Sequence, residues 1–175
     1  MRVRAARLAI LFLLAAIPDA ARGEPAESAR QLAGLFMQSC FPYAGDPSGL
    51  RSWAARTGLP VLPEPARGMF LNRAPGVVWD ASPAGLKLVL VSADDGLCST
   101  ITNRAPGRDV ADALETDLRQ IGARFRLVIE RDDRQAEALH FREYLATWNG
   151  RTWRILAATV KGSQPGHAML TAGPG

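Results

Sequence analysis

Two strand-like runs, residues 139–148 and 151–161, meet at Asn149-Gly150, and no other feature of the chain limits its fold as much. A two-residue hairpin loop in a type I′ turn needs positive φ at both central positions, which Asn-Gly supplies with little strain. With these two residues at the turn centre, Ala146 lies opposite Trp153, Tyr144 opposite Ile155, Arg142 opposite Ala157 and His140 opposite Thr159. Side chains alternate across a strand, so one face collects His140, Arg142, Tyr144 and Trp153. The other carries Leu139, Phe141, Leu145, Leu156, Ala158 and Val160, a more apolar set and the expected core face. The competing arrangement covers the first face with helices and makes Tyr144 and Trp153 amphipathic packing residues.

The rest of the chain supplies partners for this hairpin. Residues 26–39 place Ala29, Leu32, Ala33, Leu35 and Phe36 on one helical face after Pro25. A second helix opens with Asp46 as N-cap and Pro47 at N1, and stops at Gly58. Residues 59–67 hold Pro60, Pro63 and Pro65 and predict an extended connection. Three strands follow at 77–79, 86–93 and 98–104, the last two joined by Asp94-Asp95-Gly96. A helix at 109–121 has one apolar face, formed by Val110, Ala113, Leu114, Leu118 and Ile121. A strand at 124–131 alternates Phe125, Leu127 and Ile129 against Arg124, Arg126 and Glu130. The order is helix, helix, three strands, helix, three strands, without repeated strand-helix-strand units. This predicts a single α+β domain over 24–162 with an antiparallel sheet of about six strands. Residues 163–175 are rich in Gly and Pro and are expected to form a flexible tail.

Residues 1–7 carry Arg2, Arg4 and Arg7, and an apolar run of ten, Leu8 to Ile17, follows. With Ala21-Arg22-Gly23 behind it, this is the pattern of a secretory signal peptide cleaved before Glu24. The run is short of the roughly 20 apolar residues of a membrane span, so no stable anchor is expected after cleavage. Removing 1–23 takes Arg2, Arg4, Arg7, Arg22 and Asp19 from the 21 basic and 17 acidic residues, leaving 17 against 16. The basic character of the precursor belongs mostly to the leader, and a nucleic-acid partner is not expected. The expected location is periplasmic or secreted. In an oxidising compartment the only two cysteines, Cys40 and Cys98, pair as one disulfide.

Chemistry is sparse. There are two histidines, His140 and His167, and no H-E-x-x-H, Cys-x-x-Cys, P-loop, G-x-G-x-x-G or G-x-S-x-G pattern. No metal or other cofactor is expected. Asp94 and Asp95 fall on a tight turn, where adjacent carboxylates diverge into solvent, and Arg131-Asp132-Asp133-Arg134 has the form of a solvated connection. The face with His140, Arg142, Tyr144 and Trp153 combines donors, rings and fixed charge, as binding patches do.

Pro75-Gly76-Val77-Val78-Trp79, followed by Asp95-Gly96-Leu97-Cys98, resembles a pattern in a family of uncharacterised bacterial exported proteins with a Pro-Gly-x-x-Trp strand and an Asp-Gly-x-Cys hairpin. The resemblance implies export and fold, and no activity. The expected function is a non-catalytic periplasmic binding or interaction module, its partner an envelope protein or a small ligand. The alternative is a small periplasmic hydrolase in which His140 works with nearby carboxylates.

Overall fold

Helix α1 (Ala20–Gln38) begins earlier than expected and buries Ala29, Leu32, Ala33 and Phe36 completely on one face. The computed structural model describes residues 20–133, 138–162 and 164–175, so the signal-peptide reading of 1–23 falls mostly outside the described residues. A single helical turn, α2 (Cys40–Tyr43), leads into α3 (Pro47–Thr57). The ends of α3 are those its sequence specifies: the Asp46 carboxylate accepts the Gly49 amide at 2.9 Å, and Gly58 closes the helix at φ 73°. The connection at 59–67 is extended only in its first half, where Val61 bridges Trp79. Its second half enters α4 (Glu64–Leu71), with Pro63 as N-cap and Pro65 in the first turn. First-turn amides have no intrahelical acceptor, so a proline there removes no bond.

The sheet strands are β1 (Gly76–Asp80), β2 (Leu88–Ala93), β3 (Cys98–Ala105), β4 (Arg124–Asp132), β5 (Leu139–Trp148), β6 (Arg151–Val160) and β7 (Gly166–Pro174), with α5 (Gly107–Gln120) between β3 and β4. The fold is α+β with a seven-stranded antiparallel sheet in the order β1-β2-β3-β7-β6-β5-β4. The β5–β6 register is the one the Asn149-Gly150 turn dictates, Tyr144 on Ile155 and His140 on Thr159, with φ 48° and 75° at the two turn residues. The seventh strand is the segment expected to be a tail. Its Gly and Pro content misleads because alternation decides: Ala168, Leu170 and Ala172 are buried while His167, Met169 and Thr171 face outward. β7 lies in the middle of the sheet, antiparallel to β3 on one side and to β6 on the other.

Helices α1 and α5 pack on each other and cover one face of the sheet. The covered face is the one with Tyr144, Ala146, Trp153, Ile155 and Ala157, all at most 3 % exposed. The expected core set is therefore the outer one: Leu139, Phe141, Leu145, Leu156, Ala158 and Val160 are only half-buried. Hydropathy favoured them, but the amphipathic helices settle on the face where Ala146, Ala157, Ala168 and Ala172 leave room for them.

Cys40, at the start of α2, is bonded to Cys98, at the start of β3, with Cα atoms 5.1 Å apart. Next to this bridge the Gly45 amide donates to the Gly96 carbonyl at 2.9 Å, and a Cβ on Gly96 would come within 3.0 Å of the Gly45 Cα. The turn and the helical segment thus touch backbone to backbone. The closed loop spans 58 residues, a restriction of the unfolded chain of roughly 4 kcal/mol on the chain-entropy account. Cys40→Ala and Cys98→Ala are each expected to lower unfolding free energy by about 2–5 kcal/mol, and the double variant by no more than either alone. Urea titrations of the three variants check this, and additive losses would contradict a shared bond.

Candidate functional site

Alternation along β5 points His140, Arg142, Tyr144 and Ala146 toward the helix side. The four residues expected to form a binding patch divide there. Tyr144 is fully buried and its hydroxyl donates to Glu115 of α5 at 3.2 Å. Trp153 is 2 % exposed, its ring lies 4.6 Å from that of Phe41, and the Arg151 guanidinium lies over it at 5.3 Å from the ring centre. These two rings are packing residues that fasten β5 and β6 to α2 and α5. His140 and Arg142, nearer the start of β5, line a cavity of about 490 Å³ between α5 and the β5–β6 ribbon.

The cavity owes its place to Gly107. A Cβ there would fall 2.6 Å from the Thr159 Oγ1 and 3.0 Å from the Val160 carbonyl oxygen, so α5 can start this close to β6 only with glycine. Arg108 and Asp112 from α5 form one wall, and Thr159 and Lys161 from β6 and the turn after it form another.

Two carboxylates from the edge strand β4 hold Arg142, His140 and Lys161. Glu130 Oε1 accepts from Arg142 Nε at 2.8 Å and lies 3.2 Å from His140 Nε2. Asp132 lies 2.9 Å from His140 Nδ1 through one oxygen and 2.9 Å from Lys161 Nζ through the other. The hydrogen bond and charge of Arg142 keep the Glu130 carboxyl below its usual range, and the hydrogen bonds of His140 and Lys161 do the same for Asp132. Tyr144 moves the other way: burial, with the Glu115 charge beside it, pushes its hydroxyl up to about 12.

Both carboxylates reach the helix side through a β-bulge. Strict alternation from Phe125 would put Glu130 on the opposite face, with the arginines. The β4–β5 register shifts between Leu127 and Ile129, which sends Ile129 outward and turns Glu130 and Asp132 toward Arg142 and His140. Asp132 is therefore a strand residue, where a solvated connection was expected. Asp94 and Asp95 diverge as their turn predicts: Asp94 pairs with Arg51 of α3, while Asp95 accepts the Leu97 amide at 3.0 Å.

His140 faces an acceptor at each ring nitrogen, and only the doubly protonated ring donates to both. Thr159 lies directly across from it in register. Among the described residues no His, Cys, Asp and Glu side chains converge as a metal site, and no helix is long and apolar enough to cross a membrane. Comparison with known protein families and with curated proteins finds no match for the chain.

The pH dependence follows from the carboxylates and the phenol. Depressed carboxylates stabilise the fold above their ordinary values of 4.5 for Glu130 and 3.8 for Asp132, and that contribution is lost as pH falls through the lower folded values. The raised Tyr144 contributes below pH 10.0, and its contribution is lost as pH rises toward about 12. Urea midpoints are expected to fall at both ends. Glu130→Gln should flatten the acid limb and Tyr144→Phe the alkaline one; an alkaline limb unchanged in Tyr144→Phe would contradict the buried, Glu115-bonded phenol.

Proposed function

We propose that the chain is a non-catalytic binding module of the periplasm or the secreted space, and that it holds a small ligand in the cavity beside His140 and Arg142. One observation carries this reading: each ring nitrogen of His140 lies against a carboxylate, Asp132 at Nδ1 and Glu130 at Nε2, so the imidazole that lines the cavity is tied into an ion-pair network with no nucleophile hydrogen-bonded to it among the described residues. Arg142 lines the cavity from β5 with its Nε held by Glu130, which leaves its other N–H groups for recognition. A volume of about 490 Å³ is in the range of small-molecule sites. Export and membership of the exported-protein family with the Pro-Gly-x-x-Trp strand accompany this reading; the Cys40–Cys98 bridge fits an oxidising compartment.

The second reading, a small hydrolase, draws on the 2.9 Å contact between Asp132 and His140 Nδ1, the orienting half of an acid-base pair. It requires His140 Nε2 to leave Glu130 and meet a nucleophile. The two readings separate when the purified protein is incubated with a small-molecule extract of the cell envelope and followed by native mass spectrometry. The binding reading predicts a retained ligand of constant mass, lost in Arg142→Gln. A ligand converted with time to product, with conversion abolished in His140→Gln, would falsify it in favour of the hydrolase.

A further inference from the structure

We infer that the free edge of β4 binds an extended acidic segment of a partner protein, which joins the sheet as a further strand with its carboxylates against Arg124, Arg126 and Arg131. The inference concerns the outer edge of the sheet and stands independently of a cavity ligand.

The two edges of the sheet differ. Along β1 the chain closes its own edge: Val61 bridges Trp79, the Leu62 amide donates to the Val78 carbonyl at 2.8 Å, and the Asp80 amide donates to the Pro60 carbonyl at 2.9 Å. β4 is the last strand in the order, and among the described residues only β5 pairs with it. One side of this nine-residue strand therefore keeps its backbone donors and acceptors open to an extended chain. Two large aliphatic side chains stand beside them, Leu127 at 42 % and Ile129 at 43 % exposure, and a neighbouring strand would cover both.

Charge selects the occupant. Arg124, Arg126, Ile129 and Arg131 share the outer face, because their partners Thr147, Leu145, Glu143 and Phe141 alternate with the buried Ala146 and Tyr144. The bulge brings this about, since without it Arg131 would fall on the helix side with Phe125. Arg124 and Arg126 are exposed and flank Leu145 and Thr147 in a groove of about 370 Å³. The Arg131 guanidinium lies over the Phe141 ring at 5.1 Å from its centre, and a stacked guanidinium keeps its in-plane N–H groups for a carboxylate. The carboxylates of β4 do not neutralise this row: Glu130 and Asp132 lie on the other face, with Arg142, His140 and Lys161. Glu143, the one carboxylate on the outer face of β5, is taken by Arg154. A strand spaced like β5 sets alternate residues beside Arg131, Ile129, Arg126 and Arg124, so acidic side chains fit at three of these places and an aliphatic one at the other. Arginines on an edge deter neutral and like-charged strands and favour the opposite charge. A second copy does not fit, because antiparallel pairing of two β4 edges about a two-fold axis brings the arginine rows of both copies onto one face. Residues 1–19 do not fit either, with Arg2, Arg4 and Arg7 against Asp19 alone.

The test is an amide-resolved NMR titration of the disulfide-bonded protein with the end-capped peptide Glu-Thr-Val-Thr-Glu-Thr-Glu. Its controls are the same peptide with lysine for glutamate, and two forms N-methylated on alternate amides, one for each edge of the peptide strand. The acidic peptide should give saturable shifts along the amides of 124–132 and slow the exchange of those that face away from β5. The lysine peptide should not bind, and one N-methylated form should lose binding while the other keeps it, since only one edge of the peptide pairs with β4. Arg126→Glu should weaken the acidic peptide severalfold and admit the lysine peptide. A gain for the opposite charge cannot come from a variant that merely unfolds. No saturable change at millimolar peptide, equal binding of the lysine peptide, or equal binding of both N-methylated forms overturns the inference. A free protein that sediments as a dimer, with the outer β4 amides already protected, overturns it in favour of a second copy.

Discussion

The pairing of β7 with both β3 and β6 is the constraint on which the rest of the structure depends. β1 to β3 form one meander and β4 to β7 another, and the second is joined to the first in the sheet only through β7. Helix α5 leaves β3 and delivers the chain to β4 at the far edge, so the second meander must fold back strand by strand until its last strand meets the first. Leu170, buried completely between Thr100 and Ala157, sits at the seam. A contact between segments some 70 residues apart in sequence is slow to form and carries a loop-closure cost. The Cys40–Cys98 bridge anchors the other side of that seam by fixing the start of β3 to the helices.

The candidate site is a consequence of this closure. Because β6 is held against β7, α5 can lie across the ribbon and start beside Thr159, and because α5 lies there, Tyr144 is sealed beneath Glu115. One face of β5 thus changes character along its length: Ala146 and Tyr144 are core, Arg142 and His140 are cavity wall. The ion pairs with Glu130 and Asp132 are half-exposed and contribute little to global stability. Their effect is positional, holding cations in fixed directions around an opening.

Much of the fold was legible because local chemistry was unambiguous. Asp46, Pro47 and Gly58 specify α3, Asn149-Gly150 specifies the β5–β6 register, and the count of two cysteines, with no metal motif for either, points to the bridge. Three features were not legible, each for a physical reason. The composition of residues 163–175 hid the alternation of Ala168, Leu170 and Ala172, because small residues carry a weak hydropathy signal even where close packing needs them. The core face was misassigned because side-chain apolarity says nothing about which face the helices reach. The bulge at Leu127 and Ile129 left no mark in the sequence, and with it went the inward turn of Glu130 and Asp132. His140 and Arg142 were placed together by strand parity alone; Gly107, Thr159 and Lys161 join them through tertiary contacts that no local pattern announces.

Native-state hydrogen exchange of the β7 amides tests the account most directly. Bonded on both sides to β3 and β6, the amides of Ala168, Met169, Leu170, Thr171 and Ala172 should exchange only with global unfolding, as slowly as those of Leu90 and Ile155. Exchange of this segment at the rate of a free chain end, with Leu90 and Ile155 still protected, would contradict the central seam and the cavity built upon it.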